Sequence, residues 1–124
     1  MTFQLSIKSP ADIDRERSEA HSKRVSAECR RRILDVADET TQANVTAAIV
    51  TYTASLARGG TEAEAENASG LANGDFTVAG LFRPWVAAMQ DACRSMIGDP
   101  VADYLADASW PPAPEGLAEL AERF

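Results

Sequence analysis

The sequence is short of most residue types that do chemistry. It holds one histidine, His21, and two cysteines, Cys29 and Cys93. A zinc site needs a cluster of His, Cys and carboxylate ligands at close spacing, which this supply does not provide. Two cysteines are also too few for a disulfide scaffold. There is no Gly-x-Gly-x-x-Gly, no phosphate loop, no nucleophile elbow and no calcium loop of the required pattern. No catalytic residue, cofactor or metal is therefore expected, and the chain reads as a non-enzyme. Cations are scarce too: 12 Lys and Arg stand against 19 Asp and Glu, for a net charge of −7. Phosphate neutralisation needs a cationic surplus, so nucleic acid is not the expected ligand. No apolar run approaches the roughly 18 residues of a membrane span. Met1–Lys8 lacks the basic start and apolar run of a secretory signal. The expectation is a soluble product of the bacterial cytoplasm, since ten arginines against two lysines and abundant alanine fit a GC-rich coding sequence. Aromatics make up only 6% of the chain. A core rich in alanine buries little area per residue, which makes association with a partner or with a second copy a reasonable expectation.

What the chain does have is helical pattern. Phe3, Leu5 and Ile7 alternate with polar residues, as in a short strand with one apolar face. With no second strand in view, this segment is either an extended arm or a strand paired with another chain. Pro10 and Asp12 suit a helix start. From there the sequence predicts a long helix over residues 10–58, polar up to about Arg24. Its expected seam runs Cys29, Ile33, Val36, Thr40, Ala43, Ala47, Val50, Ala54, Ala57 in steps of four and three. A second row, Leu34, Ala37, Ala48, Tyr52 and Leu56, widens the apolar face as in a bundle. The threonines near 40–53 are β-branched, so a break over Glu39–Asn44 is an open alternative.

Arg58-Gly59-Gly60 closes the helix. Residues 59–75 read as a surface loop, with room for one short helix capped by Thr61 and Glu64. Residues 76–124 read as a helical hairpin arm. Val78, Leu81, Phe82, Trp85, Met89, Ala92, Cys93 and Met96 trace its apolar stripe, with Pro84 either starting the helix or kinking it. A short helix is expected at Val101–Ala106, then an extended segment at Trp110-Pro111-Pro112-Ala113-Pro114, then an amphipathic end at Leu117, Leu120 and Phe124. The predicted fold is thus mainly α: a helical bundle or hairpin with a long N-terminal helix, a short N-terminal strand or arm, and an extended Pro-rich C-terminal segment.

Charge is divided unevenly. From Gly59 onward three arginines face eleven carboxylates, for −8, which leaves +1 on the first 58 residues. The one basic cluster, Arg30-Arg31-Arg32, either pairs with Glu28, Asp35 and Asp38 on its own helix or anchors an acidic partner face. His21 reads as a solvated surface side chain. Cys29 and Cys93 read as buried thiols that could meet if their helices pack side by side. The candidate partner-binding residues are the arm (Phe3, Leu5, Ile7), the cluster (Arg30, Arg31) and the tail (Trp110, Pro111, Pro112, Pro114). An aromatic anchor on a rigid Pro-rich segment suits a groove on a partner. The same Trp110 could instead fold back on its own core.

The run Phe82-Arg83-Pro84-Trp85-Val86-Ala87-Ala88-Met89-Gln90-Asp91-Ala92-Cys93-Arg94, followed by Ser109-Trp110-Pro111-Pro112-Ala113-Pro114-Glu115-Gly116-Leu117, resembles small accessory proteins of bacteriophage and prophage tails. That group includes tail-fibre assembly chaperones, whose paired Asp-Trp and Tyr-Arg motifs this chain lacks. The resemblance spans about residues 80–118. It implies a non-catalytic protein that binds a tail fibre or tail tip component, as a virion part or an assembly helper; the apolar seam and the unpaired strand add the expectation of a homo-oligomer. The alternative, motivated by the acidic back half, is an inhibitor that mimics DNA and blocks a basic host nucleic-acid-binding protein. A third reading is a regulatory subunit of an enzyme.

Overall fold

A computed structural model describes residues 7–124. Phe3 and Leu5, and with them the alternating pattern of the arm, lie outside the described residues. Ile7 is 86% exposed. Helix α1 spans Pro10–Val36. Ser9 starts it: its hydroxyl accepts from the Asp12 N–H at 3.1 Å, and the Asp12 carboxylate accepts from the Ser9 N–H at 3.3 Å. This reciprocal pair satisfies donors that the first turn cannot use internally, and Pro10 loses nothing by having no N–H there.

The helix predicted over 10–58 is two helices. Ala37 turns extended (φ −151°, ψ 115°), and Asp38 starts α2, Glu39–Ala57, by accepting the Thr41 N–H on its carboxylate at 2.7 Å. The break thus falls just ahead of Glu39–Asn44. Its cause is a cap that competes with helix propagation rather than the β-branched threonines. One consequence is a correction to the expected seam. Cys29, Ile33 and Val36 face the core, but after the break Thr40, Ala43, Ala47, Val50 and Ala57 are exposed. The buried face of α2 is Val45, Ala48, Tyr52 and Ser55, of which Ala48 and Tyr52 belong to the expected second row. Restarting the helix resets its phase, so a continuous repeat in the sequence does not become a continuous seam in space.

Helix α2 ends at Arg58 and Gly59, whose φ of 87° places it in the left-handed region. A Cβ on the next residue, Gly60, would lie 2.8 Å from the Ser55 carbonyl oxygen and hydroxyl. Residues 59–75 are not merely a surface loop. They hold α3, Glu62–Ser69, capped by the Thr61 hydroxyl accepting from the Glu64 N–H at 3.2 Å. They also bury Ala65 and Leu71 completely. Helix α4 is Asp75–Ala79, and α5 is Phe82–Ile97. Pro84 therefore lies in the first turn of α5, where its missing N–H costs no hydrogen bond. The helix expected at Val101–Ala106 does not form. Turns run from Asp99, whose carboxylate accepts the Val101 N–H at 3.1 Å, to a short 3-10 turn at Asp107–Ser109. Helix α6, Leu117–Glu122, closes the chain. Among the described residues there is no strand.

The core has two adjoining parts. In the first, Val25 and Cys29 of α1 meet Trp85, Met89 and Met96 of α5, with Trp110 and Leu117 beside them. His21 pairs with the Met96 carbonyl and Cys29 with the Met89 carbonyl, so α1 and α5 run antiparallel. In the second, Val45, Ala48 and Tyr52 of α2 pack on Ala65, Leu71, Ala79 and Leu120. Tyr52 stacks on Phe76 with ring centroids 4.3 Å apart. Val78 touches both parts. An ion pair from Arg123 to Asp75, at 2.6 Å, ties α6 to α4.

Candidate functional site

Because α1 packs on α5 while α2 packs on α3, a groove is left where the two parts adjoin. Its volume is about 660 Å³. Val45, Ile49 and Val50 of α2 form one wall, Phe82 and Val86 of α5 the other, and Leu117 and Leu120 of α6 the floor. Gln42, Thr46, Arg83 and Gln90 supply its polar groups. Arg83 is the only charged residue in this lining, which contains no carboxylate and no histidine. Such a lining can hold apolar side chains and hydrogen-bond a neighbouring backbone, but has no acid–base pair with which to move a proton. Val50, on the lip, is 62% exposed, a large fraction for an aliphatic side chain.

A second cavity of about 580 Å³ shares Gln42 and Gln90 with the first and continues toward Cys29, Cys93, Arg30 and Arg94. The two thiols do come together here. Burial pushes the Cys29 thiol up to about 11, and the adjacent Cys93 thiol adds to the shift. A thiol held in its neutral form is a poor nucleophile. Among the described residues no group of three or more His, Cys, Asp or Glu side chains is arranged to hold a metal ion. Nor is any helix among them long and apolar enough to cross a membrane.

The residues expected to bind a partner are dispersed. Arg30 bridges the helix break, pairing with Glu39 at 2.7 Å, and Arg31 pairs with Glu28. Arg32 donates to Asp107 at 2.9 Å and to the Leu105 carbonyl at 3.0 Å, and its guanidinium lies over the Trp110 ring at 5.8 Å. The basic run therefore works largely as internal ion pairs. Trp110 is only 5% exposed, and its indole N–H donates to the Tyr104 carbonyl at 2.8 Å. Pro111 accepts the Trp85 indole N–H on its carbonyl at 3.1 Å, while Pro112 is exposed and Pro114 half-buried. The tail is a strap across its own core, with Trp110 folded back into it. His21 is likewise not a solvated side chain. It is half-buried, 2.7 Å from the Met96 carbonyl and edge-on to Tyr104.

The groove was not visible as a motif. Its residues come from α2, α5 and α6 and share no spacing, and its one local signal is Val50, an apolar residue on the face that the helix break turns outward. No family model matches the chain, and no curated protein or solved structure matches it.

Proposed function

We propose that this chain is a non-catalytic protein-binding component of a phage or prophage tail, an assembly helper or a permanent part, and that it takes hold of another chain through the groove between α2 and α5. The observation that carries the reading is the lining: apolar walls, neutral polar groups and an exposed Val50 on the lip. The tail assignment rests on the resemblance over 82–94 and 109–117. In this fold those two stretches meet, since the Trp85 indole N–H is satisfied by Pro111. The partner is a tail fibre or tail tip component, met in the cytoplasm of the bacterial host.

Co-expression with phage tail fibre and tail tip proteins tests this. The expected result is a complex that survives both low and high salt, because apolar contacts are not screened, and that Val50→Glu abolishes. A complex formed only with a basic nucleic-acid-binding protein, and lost at high salt, would favour the acidic-inhibitor reading, which rests on the −8 charge of the back half.

A further inference from the structure

Among the described residues, the first part of α1 contributes nothing to either part of the core, and its Glu16 pairs with Lys8, just ahead of the helix, at 2.6 Å. Residues 13–19 are exposed throughout, and the first buried residue of the helix is Val25. About 18 Å of helix therefore runs from Ser9 to the level of His21, where α5 ends. Ahead of this stalk in the sequence come Phe3, Leu5 and Ile7, of which Ile7 is among the described residues and is 86% exposed. The groove lies at the opposite end of the molecule. Its lining nearest the stalk is Gln90, level with Cys29 on α1 because Cys29 meets the Met89 carbonyl. That is about 30 Å along the axis from Ser9. Fully extended, the chain from Ser9 back to Phe3 covers at most about 21 Å. The triplet cannot reach its own groove, whatever path it takes.

We propose that the groove receives the Phe3–Leu5–Ile7 segment of a second copy of this chain. The inference rests on the reading of the groove as a protein-docking surface and names the chain that fills it. An extended segment with alternate side chains on one face places Phe3, Leu5 and Ile7 over an apolar wall and leaves Gln4 and Ser6 toward water. Gln90, together with the side-chain oxygens of Gln42 and Thr46, whose Nε2 and hydroxyl already donate to the Ala37 and Gln42 carbonyls, supplies the groove's polar groups for the backbone of such a segment. No carboxylate or histidine opposes it there. Reciprocal exchange closes a dimer, and one-way exchange continues as a ring or filament.

Complementation in the full-length chain tests this. Replacing Phe3, Leu5 and Ile7 together by serine disables the segment without touching the described core. Val50→Glu disables the groove from an exposed position. By light scattering after size exclusion, the wild type should exceed the 13.3 kDa monomer mass, and each variant alone should run as a monomer. An equimolar mixture of the two variants should recover a species of twice that mass, since one supplies an intact segment and the other an intact groove. A synthetic peptide of residues 1–8 should bind the triple-serine chain and bind Val50→Glu at least about tenfold more weakly. A monomeric wild type, an assembly unaffected by the serine substitutions, or a mixture that stays monomeric overturns the exchange. If the exchange fails in this way while Val50→Glu still abolishes the tail-protein complex, the groove remains a docking surface and only the second-copy occupant is wrong.

Discussion

At the scale of single residues, several side chains that look available to partners are committed within the molecule. Trp110 is the clearest case: it joins the core, donates to Tyr104 and carries Arg32 on its face. Trp110→Ala should therefore cost stability, about 3–5 kcal/mol by urea unfolding, as for other large aromatic-to-alanine changes in cores. A change confined to partner binding would contradict its placement. Cys29 makes a second case. With its thiol pushed up to about 11, only about one molecule in a thousand carries the thiolate at pH 8. Iodoacetamide at that pH should leave Cys29 unmodified in the folded protein and label it once urea unfolds the chain. Asp75 supplies a pH dependence. The hydrogen bond from Arg123, with the Ala72 N–H and the guanidinium charge adding, holds its carboxyl below the usual 3.8. Asp38 is lowered in the same direction by the Thr41 N–H. A depressed carboxyl stabilises the fold fully above its unfolded value and loses that contribution as pH falls through the folded one. Stability should thus be flat with respect to these groups above about pH 5 and decline below pH 4, and Asp75→Asn should flatten the decline in acid melts.

At the scale of elements, the helix ends were more legible than the helix faces. Pro10 with Asp12, Thr61 and the Gly59–Gly60 stop are local signals, and each acts where its residue type predicts, with Ser9 the cap that the sequence reading did not name. The face of α2 was legible in part: the second row named Ala48 and Tyr52, which are buried, whereas the first row runs unbroken through Asp38 while the helix does not, and its Thr40, Ala43, Ala47, Val50 and Ala57 are exposed. Asp38 looked like one more surface acid, and only its hydrogen bond to Thr41 identifies it as a cap. The turns after Asp99 were misjudged for a related reason: Asp99 and Ser109 bond to nearby backbone and outcompete a helix with little apolar face to bury. The division of α1 into a free stalk and a packed half leads to a measurable difference. Amide exchange should be fast over residues 11–19 and slow over residues 25–36, because only the latter are backed by α5. Equal protection along the whole helix would mean that the stalk is covered.

At the scale of the whole molecule, the mainly α architecture followed from pattern and composition, but the candidate site did not. The groove exists because α1 chooses α5 and α2 chooses α3, and no periodicity within one helix encodes that choice. What marks the groove is in the structure: Val50, expected in the seam, is 62% exposed among the described residues, and the groove lining is free of acids. The central claim is that this groove is where another protein chain docks. A photoreactive benzoyl-phenylalanine in place of Val50, with a second copy of the probe at Ala63 on exposed α3 as the control, tests it most directly when the protein is irradiated in the cells that express it and the adducts are sequenced. The account predicts adducts at position 50 to an apolar segment of another chain, either residues 3–7 of a second copy or a tail component, and few at position 63. Adducts at position 63 alone, or none beyond the probe's own chain at position 50, would contradict it.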